Sequence, residues 1–128
     1  MDATPPLLNL VVLRSEDVHK AAEFYRTLGL PLSIESHGSG PEHYAASVDG
    51  RVFEIYPLTE PHLSTTGSRV GFRVDSVDAL VPRLEAIGAE MIVPPSSSPW
   101  GRRAVFADFD GHRVELLTPD SKESESLD

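Results

Sequence analysis

The sequence predicts an α+β fold in which two βαβββ modules form a curved mixed sheet around a cleft, with the helices on the outer face. Three observations lead there. The pattern Asp-Gly-x-x-x-Glu occurs at Asp49–Glu54 and again at Asp110–Glu115, a shift of 61 positions. The segment Leu10 to Gly29 aligns with Arg69 to Gly88 at a shift of 59, apolar positions on apolar positions. In each copy a β-branched run gives way to a helical stripe and then to short strands, so one supersecondary unit is built twice.

Leu8 to Leu13 is β-branched and aliphatic, as suits a strand at a sheet centre or covered on both sides. Val18, Ala21, Ala22, Tyr25 and Leu28 then recur at helical spacing, with Ser15 and Asp17 as candidate caps and Gly29 as the stop. The second copy repeats the order. Its strand is Val70 to Val74, its cap Asp75 or Ser76, and its stripe Val77, Leu80, Val81, Leu84 and Ile87 before Gly88. Pro82 requires either a late helix start or a kink, because an interior proline removes a backbone donor. A strand follows each helix, Pro31 to Ser36 and Glu90 to Val93, and then a loop rich in Gly or Pro. The last two strands of each copy meet at Asp-Gly, a hairpin signal because the turn needs positive backbone angles that Gly tolerates. The divisions expected are a disordered N-terminus over 1–7, a first module over 8–58 and a linker over 59–67. A second module over 68–119 and a disordered acidic tail over 120–128 complete the chain.

At 128 residues and 40% apolar content there is enough to fill one core. No run approaches the ~20 apolar residues of a membrane helix, and the start lacks a secretory pattern, so a cytoplasmic protein away from membranes is expected. The absence of cysteine closes disulfide, thiolate and sulfur-ligated zinc chemistry. A net charge of −9 argues against nucleic acid, whose phosphates require clustered Lys and Arg.

Strand parity assigns faces. Phe53, Ile55, Val114, Leu116, Val70, Phe72 and Val74 point to the helices. The opposite, concave face then collects Leu10, Val12, Glu54, Tyr56, Arg69, Arg73, Arg113 and Glu115.

Two strand-helix-three-strand modules, the segment Ala22-Glu23-Phe24-Tyr25-Arg26-Thr27-Leu28-Gly29 and the ending Asp108 to Leu116 resemble the vicinal oxygen chelate superfamily over residues 8 to 119. That group includes glyoxalase I, extradiol dioxygenases, fosfomycin-modifying enzymes and bleomycin-resistance proteins. The resemblance implies a homodimer. In its metal-dependent members each module gives a His or Gln from its first strand and a Glu from its last. Glu54 and Glu115 match the latter. The first-strand positions carry Leu10, which has no donor atom, and Arg69, which has no lone pair. Phe109 also stands where the family's Asp-Pro-Asp-Gly has proline.

No metal cofactor is therefore expected, and the leading reading is a protein that binds a small organic molecule in its cleft. The alternative is a metal-dependent lyase, isomerase or dioxygenase, its divalent cation held by Glu54, Glu115 and further ligands such as His37 or His43. A third is a regulatory or structural module without ligand. Two carboxylates on one face suit a general acid and base, or else a structural network with Arg69 and Arg113, which is preferred. Arg69 either pairs with a Glu or anchors an anionic ligand group. Trp100, in the loop Pro94 to Gly101, is a candidate stacking wall or else an edge cover or dimer contact. Tyr44 and Tyr56 are candidate cleft lining. His19, His37, His43 and His62 lack ligand spacing and read as solvated surface, whereas His112 reads as part-buried at a hairpin. Ser96 to Ser98 lack the strand-turn-helix elbow of an activated nucleophile.

Overall fold

The two Asp-Gly hairpins anchor two four-stranded sheets, one per copy of the motif, in a computed structural model that describes residues 3–120. Met1, Asp2 and all of the expected acidic tail except Asp120 lie outside the described residues. The first sheet has β1 (Leu10–Ser15), β2 (Ser33–Glu35), β3 (His43–Val48) and β4 (Arg51–Pro57) in the order β1-β4-β3-β2. The second has β5 (Arg69–Arg73), β6 (Glu90–Ser98), β7 (Gly101–Ala107) and β8 (Arg113–Thr118) in the order β5-β8-β7-β6. Each is mixed, with the opening strand parallel to the closing one and the rest antiparallel. Helix α1 (Val18–Leu28) packs on β1, β3 and β4, helix α2 (Val77–Ala86) packs on β6, β7 and β8, and the helices touch each other.

Local chemistry explains the element ends. Asp17 accepts from the backbone N–H groups of His19 and Lys20, and Ser76 accepts from that of Ala79, so each helix starts at a side-chain cap. Gly29 closes α1 in the left-handed region at φ 111°. The first hairpin turns on Asp49 and Gly50, both at positive φ. The second hairpin is longer, and the Asp108 carboxylate shapes it by accepting from the backbone N–H groups of Asp110 and His112, both at 2.9 Å.

Two local expectations are corrected, and of the two alternatives for Pro82 the late helix start is excluded. Strand β1 is an edge strand, not a central one: its apolar run serves the helix side through the buried Leu13, while Leu10 is half exposed. Pro82 lies inside α2, which starts at Val77, so Ser76 capping and burial of Val77, Leu80 and Leu84 outweigh the lost donor. Pro94 to Ser98 is strand rather than loop. Two register shifts in the β6–β7 pairing and the position of β6 at an edge let prolines sit where no donor is required.

One core joins both copies. Tyr25 of α1 packs at 4.7 Å on Phe53 of β4 and at 6.0 Å on Phe72 of β5, and those two rings lie 5.6 Å apart. A polar tie reinforces it. The Tyr25 hydroxyl donates to Asp108 at 2.5 Å, and the same carboxylate oxygen lies 2.8 Å from His112 Nδ1. The backbone N–H of Arg14 donates to Thr65 Oγ1 at 2.9 Å, and that hydroxyl meets His112 Nε2 at 2.7 Å. His112 is thus fully buried rather than part-buried, because the second hairpin folds against β1 and α1 of the first module.

Candidate functional site

An open hollow of about 480 Å³ lies between the first sheet and β5, lined mostly by carbon. Leu8, Leu10, Val11, Val48, Val52 and Phe53 form one side, and β5 supplies Arg69 to Arg73 on the other. Arg51, Arg69 and Arg73 edge it with positive charge. Of the residues expected to share one cleft, Leu10, Arg69 and Arg73 line this hollow.

The remaining concave residues form two polar groups, one on each sheet. On the second sheet, Arg69 donates to Glu115 at 2.9 Å, and Arg103 lies 2.7 Å from the same carboxylate oxygen. The hydrogen bond from Arg69, opposed by partial burial and aided by Arg103, holds the Glu115 carboxyl below the usual carboxylate range. Of the expected network, which paired Arg69 and Arg113 with both Glu54 and Glu115, only the Arg69–Glu115 pair forms: Arg103 stands in the place assigned to Arg113, which lies exposed with its guanidinium 3.4 Å from the Gly111 carbonyl, and Glu54 faces His43 instead. The β7–β8 register supplies the reason. Val105 opposes Glu115, so Arg103, two residues along, lies diagonally across on the same face.

On the first sheet, Val12 opposes Glu54 and Arg14 opposes Tyr56. The Arg14 guanidinium sits 5.3 Å from the Tyr56 ring centre, and the imidazole of His43 stacks on the other side of that ring at 4.1 Å. His43 is 1% exposed, which corrects its reading as surface. Parity with Tyr56 across β3 and β4 was the available signal. Tyr44, expected in the cleft, points the other way: it opposes Ile55, is buried in the core, and meets His19 Nδ1 at 2.8 Å. His19 itself is exposed, as expected, with Nδ1 against the Tyr44 hydroxyl. Trp100 is 63% exposed on the β6–β7 turn, at the sheet edge remote from β5, and is not among the residues lining the hollow.

A pair of mixed sheets with this strand order, each backed by its own helix, agrees with the comparisons to known proteins. The chain belongs to the Glyoxalase/Bleomycin resistance protein/Dioxygenase superfamily, whose model matches residues 7–116. It is 30% identical over 112 residues to an uncharacterized protein of Mycolicibacterium smegmatis, covering 88% of this chain and 93% of that one. Among solved structures it is similar to TnmS3, an antibiotic binding protein from a Streptomyces species, at 27% identity and TM-score 0.71, over 93% of this chain and all of the other. A glyoxalase/bleomycin resistance protein, also from a Streptomyces species, matches at 28% identity and TM-score 0.67, covering 86% of this chain and 98% of that one.

The metal centre that the resemblance implies, shared by the two modules, does not fit these residues. Leu10 offers no donor, and the Arg69 guanidinium sits on Glu115, where a cation would have to compete with a fixed positive charge. Glu54 faces His43 at 3.7 Å within its own sheet.

Proposed function

We propose that the protein binds a small, largely apolar organic molecule carrying an anionic group, held in the hollow between the two modules, without a metal bridging them. The observation that supports the reading best is the hollow itself: carbon-lined, within the usual size range of small-molecule sites, and edged by three arginines. Apolar lining supplies affinity through burial, and Arg51, Arg69 and Arg73 orient the anionic end. Two relatives of similar fold at 27% and 28% identity, an antibiotic binding protein and a glyoxalase/bleomycin resistance protein, support binding of a small molecule. Sequestration rather than turnover is the activity proposed, in the cytoplasm.

A homodimer belongs to the proposal. Leu7, Leu8 and Leu10 are 73%, 76% and 50% exposed beside the hollow, and a second copy would cover that apolar rim. Light scattering on the purified protein reads the oligomeric state directly.

Binding is tested by calorimetry against a panel of planar, anionic antibiotics. At least one compound should saturate the protein, and Leu10→Glu, which sets a carboxylate in the hollow, should weaken that binding about tenfold or more with thermal stability unchanged. A panel that gives no saturable heat, or a Leu10→Glu variant that binds as well as the parent, would defeat the proposal.

A further inference from the structure

The first sheet carries a second cluster, which the hollow does not use. On β2 and β3, Glu35 opposes His43, and the Tyr56 ring stacks on the His43 imidazole with 9° between the ring planes. The side chain of His43 is 2% exposed. Its Nδ1 sits 3.2 Å from the Pro41 carbonyl oxygen, which only accepts, so the Nδ1 proton is committed and a ring carrying that one proton presents a lone pair at Nε2. That Nε2 is buried without a hydrogen-bond partner. It faces Glu35 Oε1 at 3.8 Å and Glu54 Oε2 at 3.7 Å. Ionised carboxylates also only accept, so a buried lone pair confronts two more acceptors. A cation between them relieves that conflict.

His37 closes the group. Its Nε2 lies 3.2 Å from the same Glu35 oxygen, and its ring is 5.4 Å from that of His43. The ligand atoms of Glu35, His37 and His43 fall within 4.8 Å of one another. We propose that these three side chains, with Glu54 beside them, bind a divalent transition-metal cation of the Zn²⁺ class inside the first module.

The spacing fits coordination better than hydrogen bonding. Two ligand atoms each about 2.1 Å from one cation stand about 3.4 Å apart at a tetrahedral angle and further apart at wider ones. The separations of 3.7 and 3.8 Å around Nε2 are too long for a hydrogen bond and close to that geometry. A ligating histidine commonly donates its other ring N–H to a backbone carbonyl, as the Nδ1 of His43 does to Pro41. Mixed imidazole and carboxylate donors suit Zn²⁺ or Ni²⁺ rather than Mg²⁺ or Ca²⁺, which prefer oxygen alone. The other carboxylate and histidine group, Asp108, Asp110 and His112, is different. Asp108 is occupied by Tyr25, Asp110 and His112, and His112 Nε2 is engaged by Thr65.

The test uses the full chain, stripped with chelator and titrated with ZnCl₂ by calorimetry, with Co²⁺ absorption as a second readout of imidazole ligation. One equivalent should bind. His37→Ala, at a side chain that is 74% exposed, should weaken uptake about tenfold or more, as should Glu35→Gln, while Asp110→Asn should bind like the parent. No saturable uptake by the parent protein, or uptake indifferent to both His37→Ala and Glu35→Gln, would overturn the assignment. Neither result depends on what the hollow holds.

Discussion

Replacing Tyr25 by Phe removes one oxygen from the tie between the two modules and leaves the ring. The ring contacts to Phe24, Phe53 and Phe72 at 4.9, 4.7 and 6.0 Å survive, so the measured change reports the hydroxyl alone. A hydrogen bond to a charged acceptor contributes about 1.5–3 kcal/mol. Asp108 keeps the Asp110 N–H, the His112 N–H and His112 Nδ1, which places the expected loss in the lower part of that range, about 2 kcal/mol. The loss also depends on pH. Burial is the largest single influence on Asp108 and pushes its carboxyl up, but bonds from His112, Tyr25 and the Asp110 backbone together outweigh it, and the group ends below its ordinary value of 3.8. A depressed carboxyl contributes stability that is present above its unfolded pKa and lost as pH falls through the folded one. The gap between parent and Tyr25→Phe should therefore be about 2 kcal/mol at pH 7 and should narrow once the pH falls below about 4. Urea unfolding followed by far-ultraviolet circular dichroism at pH 7 and pH 3 measures both gaps. A gap below about 0.5 kcal/mol at pH 7, or one that widens in acid, would refute the reasoning.

Three further substitutions probe other joints. At Gly101, φ is 130° and an added Cβ would collide with the Thr118 carbonyl oxygen, so Gly101→Ala should cost about 3 kcal/mol or more and lower Tm by roughly 10 °C; a calorimetric Tm within 2 °C or so of the parent would contradict this. Ser76→Ala removes the α2 cap and should cost about 1 kcal/mol in urea unfolding, with Ser76→Asp restoring most of it. Arg69→Ala leaves Glu115 with Arg103 and should raise the Glu115 carboxyl toward its ordinary value, seen as an upward move of its carbon resonance midpoint in an NMR titration. An unmoved midpoint would mean that Arg69 does not hold the carboxylate in solution.

Much of this architecture is written into the chain. A repeat at shifts of 59 and 61, Asp-Gly turns and alternating apolar positions depend on near neighbours, and local sequence controls them. Parity alone placed Phe53, Ile55, Val114 and Leu116 in the core and turned Glu54, Tyr56, Arg69 and Glu115 away from it. The same rule applied to β3 would have sent Tyr44 inward and His43 outward, since Tyr44 opposes the core residue Ile55. Chemical identity at Leu10 and Arg69 was equally plain, because neither can donate a lone pair whatever its surroundings.

Register and docking belong to the folded chain. Which arginine reaches Glu115 depends on how β7 slides against β8, and the two register shifts in the β6–β7 pairing have no simple sequence mark. The joining of Tyr25 to Asp108 spans 83 positions, and only the packing of one module on the other brings them together. Burial of His43 likewise comes from Tyr56, two strands of one sheet meeting at a register that no single segment contains. Short-range pattern determines which face a side chain takes; long-range contact determines which charges and lone pairs it meets there, because those energies fall steeply with distance and only the tertiary structure sets the distances.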